Sequence, residues 1–147
     1  KLILNKMIKF LKKETSKIEN QDVLINTASL LIHVAKIDEN YTDDERLIIK
    51  KTLILLGANE NNLDELLKIS ELNEKKANQI LDFTKSIKKM DEKFKIKLIE
   101  SLWKIIYSDK KSDIYEANLI RRLTGLLYLD NKIVGEIKEK IKKDLYK

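Results

Sequence analysis

Residues 91–128 read DEKFKIKLIESLWKIIYSDKKSDIYEANLIRRLTGLLY, and their pattern decides the fold. Apolar side chains recur at three- and four-residue intervals over about 91–108, which predicts an amphipathic helix. A short acidic turn, Asp109 to Ser112, comes next, and a second helix is predicted to run to about residue 128. Because the stretch contains no proline, the predicted unit is a helix, an acidic turn and a second helix.

The same unit occurs earlier in the chain, at an offset of 71 residues. There the first predicted helix covers about 21–37 and is apolar almost all round, which predicts a central position. A turn separates it from a second helix over about 42–57, which is predicted to end at Gly57 as a C-cap. The repeat predicts two related halves, at about 21–57 and 91–128. Each half has an Asp where its first helix ends and a Glu seven residues later: Asp38 and Glu45, then Asp109 and Glu116.

The other segments are predicted to complete one all-α domain over residues 1–147. Residues 1–18 have apolar side chains on one face among many lysines, which predicts a basic amphipathic helix. Shorter helices at about 60–70 and 73–89 are predicted as connecting elements. A narrow apolar stripe over about 131–146 predicts a helix on the surface of the domain.

The composition excludes several classes of function. Without cysteine, the chain has no disulfide, thiolate metal site or cysteine nucleophile, and the cytoplasm is the expected location. No apolar run approaches the roughly 18 residues of a membrane span. Basic residues exceed acidic ones by 30 to 24, but they are spread along the chain and few are arginines. Because arginine is the usual reader of phosphates and base edges, we expect no specific nucleic-acid partner.

No catalytic set can be assembled from this sequence, and the chain is predicted not to be an enzyme. His33 is the only histidine. It shares a polar helix stripe with Asn26, Ser29 and Lys36, where a solvated or helix-packed imidazole is expected. Trp103 is predicted to pack in or near the core.

Two chemistries explain the paired acidic residues. Hard cations prefer oxygen ligands, so a metal site is one interpretation. Helix capping is the stronger explanation for each Glu, because T-D-D-E at 42–45 and D-I-Y-E at 113–116 both have the form of a capping box. The aspartates are harder to explain as caps, since an anion where a helix ends opposes the helix dipole. Neither turn has the glycine and glutamate positions of an EF-hand loop.

Three segments resemble the TerB-like proteins associated with tellurite resistance, in the branch of stand-alone bacterial domains. They are SLWKIIYSDKKSDIYEANLIRRLTGLL at 101–127, VAKIDENYTDDERLII at 34–49 and DFTKSI at 82–87. The resemblance implies a compact bundle of about seven or eight helices with internal pseudo-twofold symmetry. It also implies a divalent-cation site of acidic residues, which in this sequence are Asp38, Glu45, Asp109 and Glu116. The chain departs from the family pattern after each Asp, where Glu39 and Lys110 replace a glycine.

The predicted function is a non-catalytic, stress-associated module that binds a divalent cation, Ca²⁺ or Mg²⁺, and engages a protein partner. An ion-independent protein scaffold, in which the acidic turns only cap helices, is the alternative. A further alternative is peripheral contact with an anionic membrane through Leu4, Met7 and Leu11 and the lysines around them. We expect instead that this helix packs on its own domain, because its apolar stripe is of ordinary width.

Overall fold

The computed structural model describes the backbone of residues 2–37, 41–108 and 114–145, with side chains except at 2, 10–20, 114–117 and 145. All regular elements in these ranges are helical, which confirms the predicted fold class. In chain order they are α1 (Leu2–Ala35), α2 (Asp43–Leu55), a 3-10 helix (Glu60–Asn62), α3 (Leu63–Lys76), α4 (Leu81–Ile87), α5 (Glu92–Ile106), α6 (Ile114–Leu126) and α7 (Asn131–Leu145). Within the described ranges, none of these helices combines the length and hydropathy that a membrane crossing requires.

Helices α1 and α5 are central to the packing. Leu30, Leu31 and Ile32 are consecutive residues of α1 and all are fully buried, so neighbouring elements surround this part of the helix. The central position predicted for this segment is confirmed, since α1 contacts α2, α3, α4 and α5. In α5, Leu102 and Trp103 are likewise buried. Burial of each large apolar side chain stabilises the fold by about 1.5–3 kcal/mol.

Helices α3 and α4 belong to the core and are more than connecting elements. Both pack chiefly on α1, and each buries a large side chain, Leu67 in α3 and Phe83 in α4. Helices were predicted at about 60–70 and 73–89. The predicted break between them is wrong, because α3 continues to Lys76. The chain leaves helical geometry at Ala77, which has a φ of −77° and a ψ of 140°. Neither glycine nor proline marks this break, so the apolar pattern alone did not locate it.

The two helices predicted at the N-terminus form one continuous helix, α1. The prediction separated residues 1–18 from 21–37, but no proline or glycine lies between them to end a helix. Near the start of α1, Leu4 and Met7 are exposed, with 61% and 56% of their surface accessible. The expectation that this end packs on the domain is wrong for these two side chains, because no described element covers them. The side chain of Leu11 lies outside the described residues.

The helices of the two sequence repeats have their ends 71 residues apart, which is the offset of the repeat. Helix α1 ends at Ala35 and α5 at Ile106, while α2 and α6 have starts and ends at matching positions. The helices therefore begin and end at equivalent places in the two repeats, even though most of the residues there differ.

Helices α2 and α6 also end with the same hydrogen-bond pattern. The residue after the cap has a positive φ in both, 110° at Gly57 and 58° at Tyr128. The following amide then donates to a carbonyl in the last turn, from Ala58 to Leu53 at 2.8 Å in one case and from Leu129 to Thr124 at 3.0 Å in the other. This is the Schellman ending, which satisfies the last carbonyls of a helix.

Candidate functional site

Glu45 lies at the start of α2 and carries the best-described part of the predicted site. Its Oε1 accepts hydrogen bonds from the backbone N and the Oγ1 of Thr42, both at 3.0 Å. In return, Thr42 Oγ1 accepts from the backbone N of Glu45 at 3.1 Å. These bonds form the predicted capping box, and Glu45 is only 5% exposed. The carboxylate is therefore oriented by its own helix cap.

The three other predicted ligands lie outside what the structure describes. Asp38 and Asp109 are in the ranges left out, and Glu116 lies in α6 without a described side chain. Among the side chains that are described, no three His, Asp or Glu groups gather closely enough to hold a metal ion. The four-carboxylate site therefore stays a prediction, of which Glu45 is the described member.

Helix α3 brings further charge to the start of α2. Arg46 Nη2 lies 3.6 Å from Glu71 Oε1, and this ion pair joins the two helices. The pKa of Tyr41 is raised to about 12, first by burial and then by the negative charge of Glu71. The positive charge of Arg46 lowers the pKa of Tyr41, and the negative charge of Glu45 raises it by a smaller amount. Burial and the neighbouring carboxylates therefore favour the neutral phenol of Tyr41.

The polar stripe of α1 faces α3. His33 Nδ1 and Lys36 Nζ lie 3.2 Å from Oε1 and Oε2 of Glu74, whose side chain is 12% exposed. The ring of His33 also lies 6.2 Å from that of Phe83, between centroids. A histidine with a carboxylate partner and an aromatic neighbour agrees with the helix-packed role expected for His33.

The same stripe continues as a hydrogen-bonded polar network. Asn73 Nδ2 donates to Ser29 Oγ at 2.9 Å and to Asn26 Oδ1 at 3.3 Å. Asn26 Nδ2 then donates to Ser86 Oγ at 3.1 Å, which extends the network to the end of α4. Because partly buried polar groups need such partners, the network fixes the register of α1 against α3 and α4.

Sequence analysis did not identify Glu71 and Glu74 as part of this region. Both lie in the last turns of α3, but Glu71 falls in the predicted break between two helices and Glu74 falls just after it. Their three-residue spacing places them on one helix face only when the helix continues through this segment. A helix predicted to continue to Lys76 would therefore have placed Glu71 and Glu74 on one face.

The fold and this region define a class of protein: an all-helical module with a repeated helix–turn–helix unit and a capped, nearly buried carboxylate beside an acidic turn. A family model described as tellurite resistance protein TerB matches residues 24–139. The chain belongs to this TerB family, which confirms the resemblance seen in its sequence. No curated protein and no solved structure matches the chain.

Proposed function

We propose that the chain is a non-catalytic TerB module that binds a divalent cation at its acidic turns and engages a protein partner in response. The observation that supports it is the carboxylate of Glu45, which is nearly buried and accepts two hydrogen bonds from Thr42. Carboxylates that bind metals are commonly oriented by such additional hydrogen bonds.

The proposed ligands are Asp38 and Glu45 in the first turn and Asp109 and Glu116 in the second. A site built of oxygen ligands suits Ca²⁺ or Mg²⁺ better than softer metals. Four carboxylates do not fill the coordination shell of calcium, so backbone carbonyls and water complete it in this proposal.

The outer face of α2 supports the partner-binding part of the proposal. Leu47, Ile54 and Leu55 are exposed on this helix, at 50%, 41% and 64%. Leu47 and Ile54 are seven residues apart, so they lie on the same side of the helix, where apolar side chains can contact a partner. Since α2 begins at the acidic turn, an ion that stabilises the turn also stabilises the helix that presents this face.

The non-catalytic part of the proposal is supported by the surroundings of His33. The imidazole contacts Glu74 Oε1 at 3.2 Å and packs near Phe83. These contacts give the imidazole a packing role between α1, α3 and α4, with 38% of its side chain exposed.

The experiment is thermal unfolding with and without millimolar CaCl₂ or MgCl₂. At an ion concentration ten times Kd, binding stabilises the folded state by about 1.4 kcal/mol, which raises Tm by about 3–6 °C in a domain of this size. The double variant Asp38→Asn with Asp109→Asn is expected to lose this rise. Asp22→Asn with Asp144→Asn removes the same charge at exposed positions in α1 and α7 and is expected to keep it.

An ion-independent scaffold is the second candidate, and the capping box favours it. The box satisfies the start of α2 with protein atoms alone, so Glu45 has a structural role without any ion. In this case the melting temperature does not respond to Ca²⁺ or Mg²⁺ in the unmodified protein or in either double variant. That outcome would contradict the cation proposal. Only the proposed binding of a protein partner to α2 would then remain.

Contact with an anionic membrane is a third candidate, supported by the start of α1. Ile3, Leu4, Met7 and Ile8 are all exposed, between 43% and 77%. Lys6 and Lys9 are exposed beside them. An exposed apolar cluster with adjacent lysines is suited to the surface of an anionic bilayer.

A further inference from the structure

Helices α5, α6 and α7 border an open groove of about 280 Å³. The polar and aromatic side chains that line it come from all three helices: Trp103 from α5, Arg121 and Thr124 from α6, and Asn131 and Lys138 from α7. Gly135 also lines the groove, and a Cβ atom added there contacts no atom within 4 Å. The space beside Gly135 is therefore open.

The charge lining this groove is entirely positive. Arg121 and Lys138 both line it, and no carboxylate does so among the described residues. Neither cation forms an ion pair within the part of the chain that the structure describes. Asp130 lies near the start of α7, but its carboxylate accepts from the backbone N of Lys132 at 3.0 Å and it does not line the groove. Two cations that form no ion pair with the described residues favour an anion in the groove.

Trp103 forms an aromatic wall of the groove. The residue is 3% exposed, and its buried Nε1 has no hydrogen-bond acceptor among the described residues. One face of the ring system stacks on Tyr107, with centroids 5.8 Å apart, and Lys138 Nζ lies 5.4 Å from the Trp103 ring centroid. The nearly buried ring of Trp103 therefore serves the groove as an aromatic wall beside the Lys138 ammonium group.

We propose that this groove is a binding site for a small phosphate monoester. In this arrangement the phosphate lies between Arg121 and Lys138, and the apolar part of the ligand lies against Ile120, Val134 and Trp103. A phosphate monoester carries a charge of about −1.5 to −2 near neutral pH, which two cations match better than the single charge of a carboxylate. The arginine fork also suits phosphate oxygens. The groove lies near the lower size limit of ligand sites, which selects a small molecule.

The site is independent of the acidic turns. Its described lining residues lie on α5, α6 and α7 and include none of the predicted metal ligands. Ion binding at the turns and phosphate binding in the groove therefore succeed or fail separately.

The chain offers a direct optical test because Trp103 is its only tryptophan. Phenyl phosphate is titrated into the full chain while tryptophan emission is recorded, and the affinity is measured independently by calorimetry. Inorganic phosphate and phenylacetate are the comparison ligands. We expect saturable binding of phenyl phosphate, weaker binding of inorganic phosphate, which lacks the apolar group, and the weakest binding of phenylacetate.

Matched variants test whether phenyl phosphate binds in the groove. Arg121→Gln and Lys138→Gln are each expected to raise Kd at least about tenfold, the effect of losing one charge-assisted hydrogen bond. Arg122→Gln and Lys142→Gln remove neighbouring exposed charges on the same helices but outside the groove, and they are expected to change Kd less than about twofold. Gly135→Leu fills the groove and is expected to abolish binding while circular dichroism shows an unchanged helix content.

Three outcomes overturn the proposal. The first is an absence of saturable binding at millimolar phenyl phosphate. The second is an equal loss in all four charge variants, which indicates a general effect of net charge. The third is tighter binding of phenylacetate than of phenyl phosphate, which contradicts a site for a dianion.

Discussion

Thr42 and Glu45 show how one pair of side chains can serve both a helix end and a candidate ion site. The hydroxyl of Thr42 accepts a hydrogen bond from the amide of Glu45 and donates one to its carboxylate. The carboxylate is then already oriented before any cation arrives. Less side-chain freedom remains to be lost on binding, which is the advantage of a preorganised ligand.

This pair predicts unequal effects for two small substitutions. Thr42→Ala removes the cap and is expected to lower the free energy of unfolding by about 0.5–2 kcal/mol. Thr42→Ser keeps a hydroxyl in the same place and is expected to change it by less than about 0.5 kcal/mol. Urea unfolding followed by circular dichroism measures both. A loss of the same size in the two variants would show that the methyl group, rather than the hydroxyl, matters.

Among the elements, α2 and α6 end with the same hydrogen-bond pattern but with different residues. The positive φ that follows the cap belongs to Gly57 after α2 and to Tyr128 after α6. Glycine adopts this conformation without strain, whereas a residue with a Cβ atom does so at a cost. Tyr128 is 77% exposed, so its side chain gains little from packing to offset that strain.

The two helix ends therefore predict stability changes of opposite sign. Gly57→Ala is expected to lower the free energy of unfolding by about 1–2 kcal/mol, because the positive φ becomes strained. Tyr128→Gly is expected to raise it by about 0.5–1 kcal/mol, because the strain is relieved. Thermal unfolding measures both changes.

Tyr128→Ala is the control for the second change. It removes the exposed ring but keeps a Cβ atom, so we expect no stabilisation. If Tyr128→Ala stabilised the protein as much as Tyr128→Gly, the exposed ring and not the backbone would be the cause.

For the whole molecule, the notable feature is the end of α1 that no described element covers. The part of α1 from Val23 to Ala35 lies in the core, while Leu4 and Met7 are exposed at the other end of the same helix. One helix thus joins a packed domain to an apolar, lysine-rich surface. This arrangement is suited to holding the domain against an anionic membrane.

Vesicle sedimentation tests this arrangement. We expect the protein to bind vesicles of phosphatidylserine and phosphatidylcholine, and to bind less at high salt because the lysine contribution is screened. Leu4→Ser with Met7→Ser is expected to weaken binding at least about tenfold, since two apolar side chains no longer enter the interface. Leu47→Ser with Ile54→Ser makes the same exchange at exposed positions of α2 and is expected to have no effect. Equal loss in the two double variants would point to a general change in hydrophobicity.

Local features of this protein were predictable from its sequence because they depend on neighbouring residues. The central part of α1 is apolar almost all round, and a helix with that pattern must be surrounded by other elements. The capping box of Thr42 and Glu45 needs only a spacing of three residues. Gly57 follows the cap of α2 because the left-handed conformation there favours glycine. In each case the energetic reason lies within one or two helical turns.

Tertiary structure alone decided which elements meet. The apolar pattern identified a polar stripe on α1, but only the packing of α3 against it placed Glu74 beside His33 and Lys36. Likewise, Trp103, Arg121 and Lys138 share a groove because three helices come together there. Periodicity specifies the face that a helix buries, whereas the partner that covers this face depends on contacts between residues far apart in the chain. Those contacts also left the start of α1 exposed, which its ordinary apolar stripe did not predict.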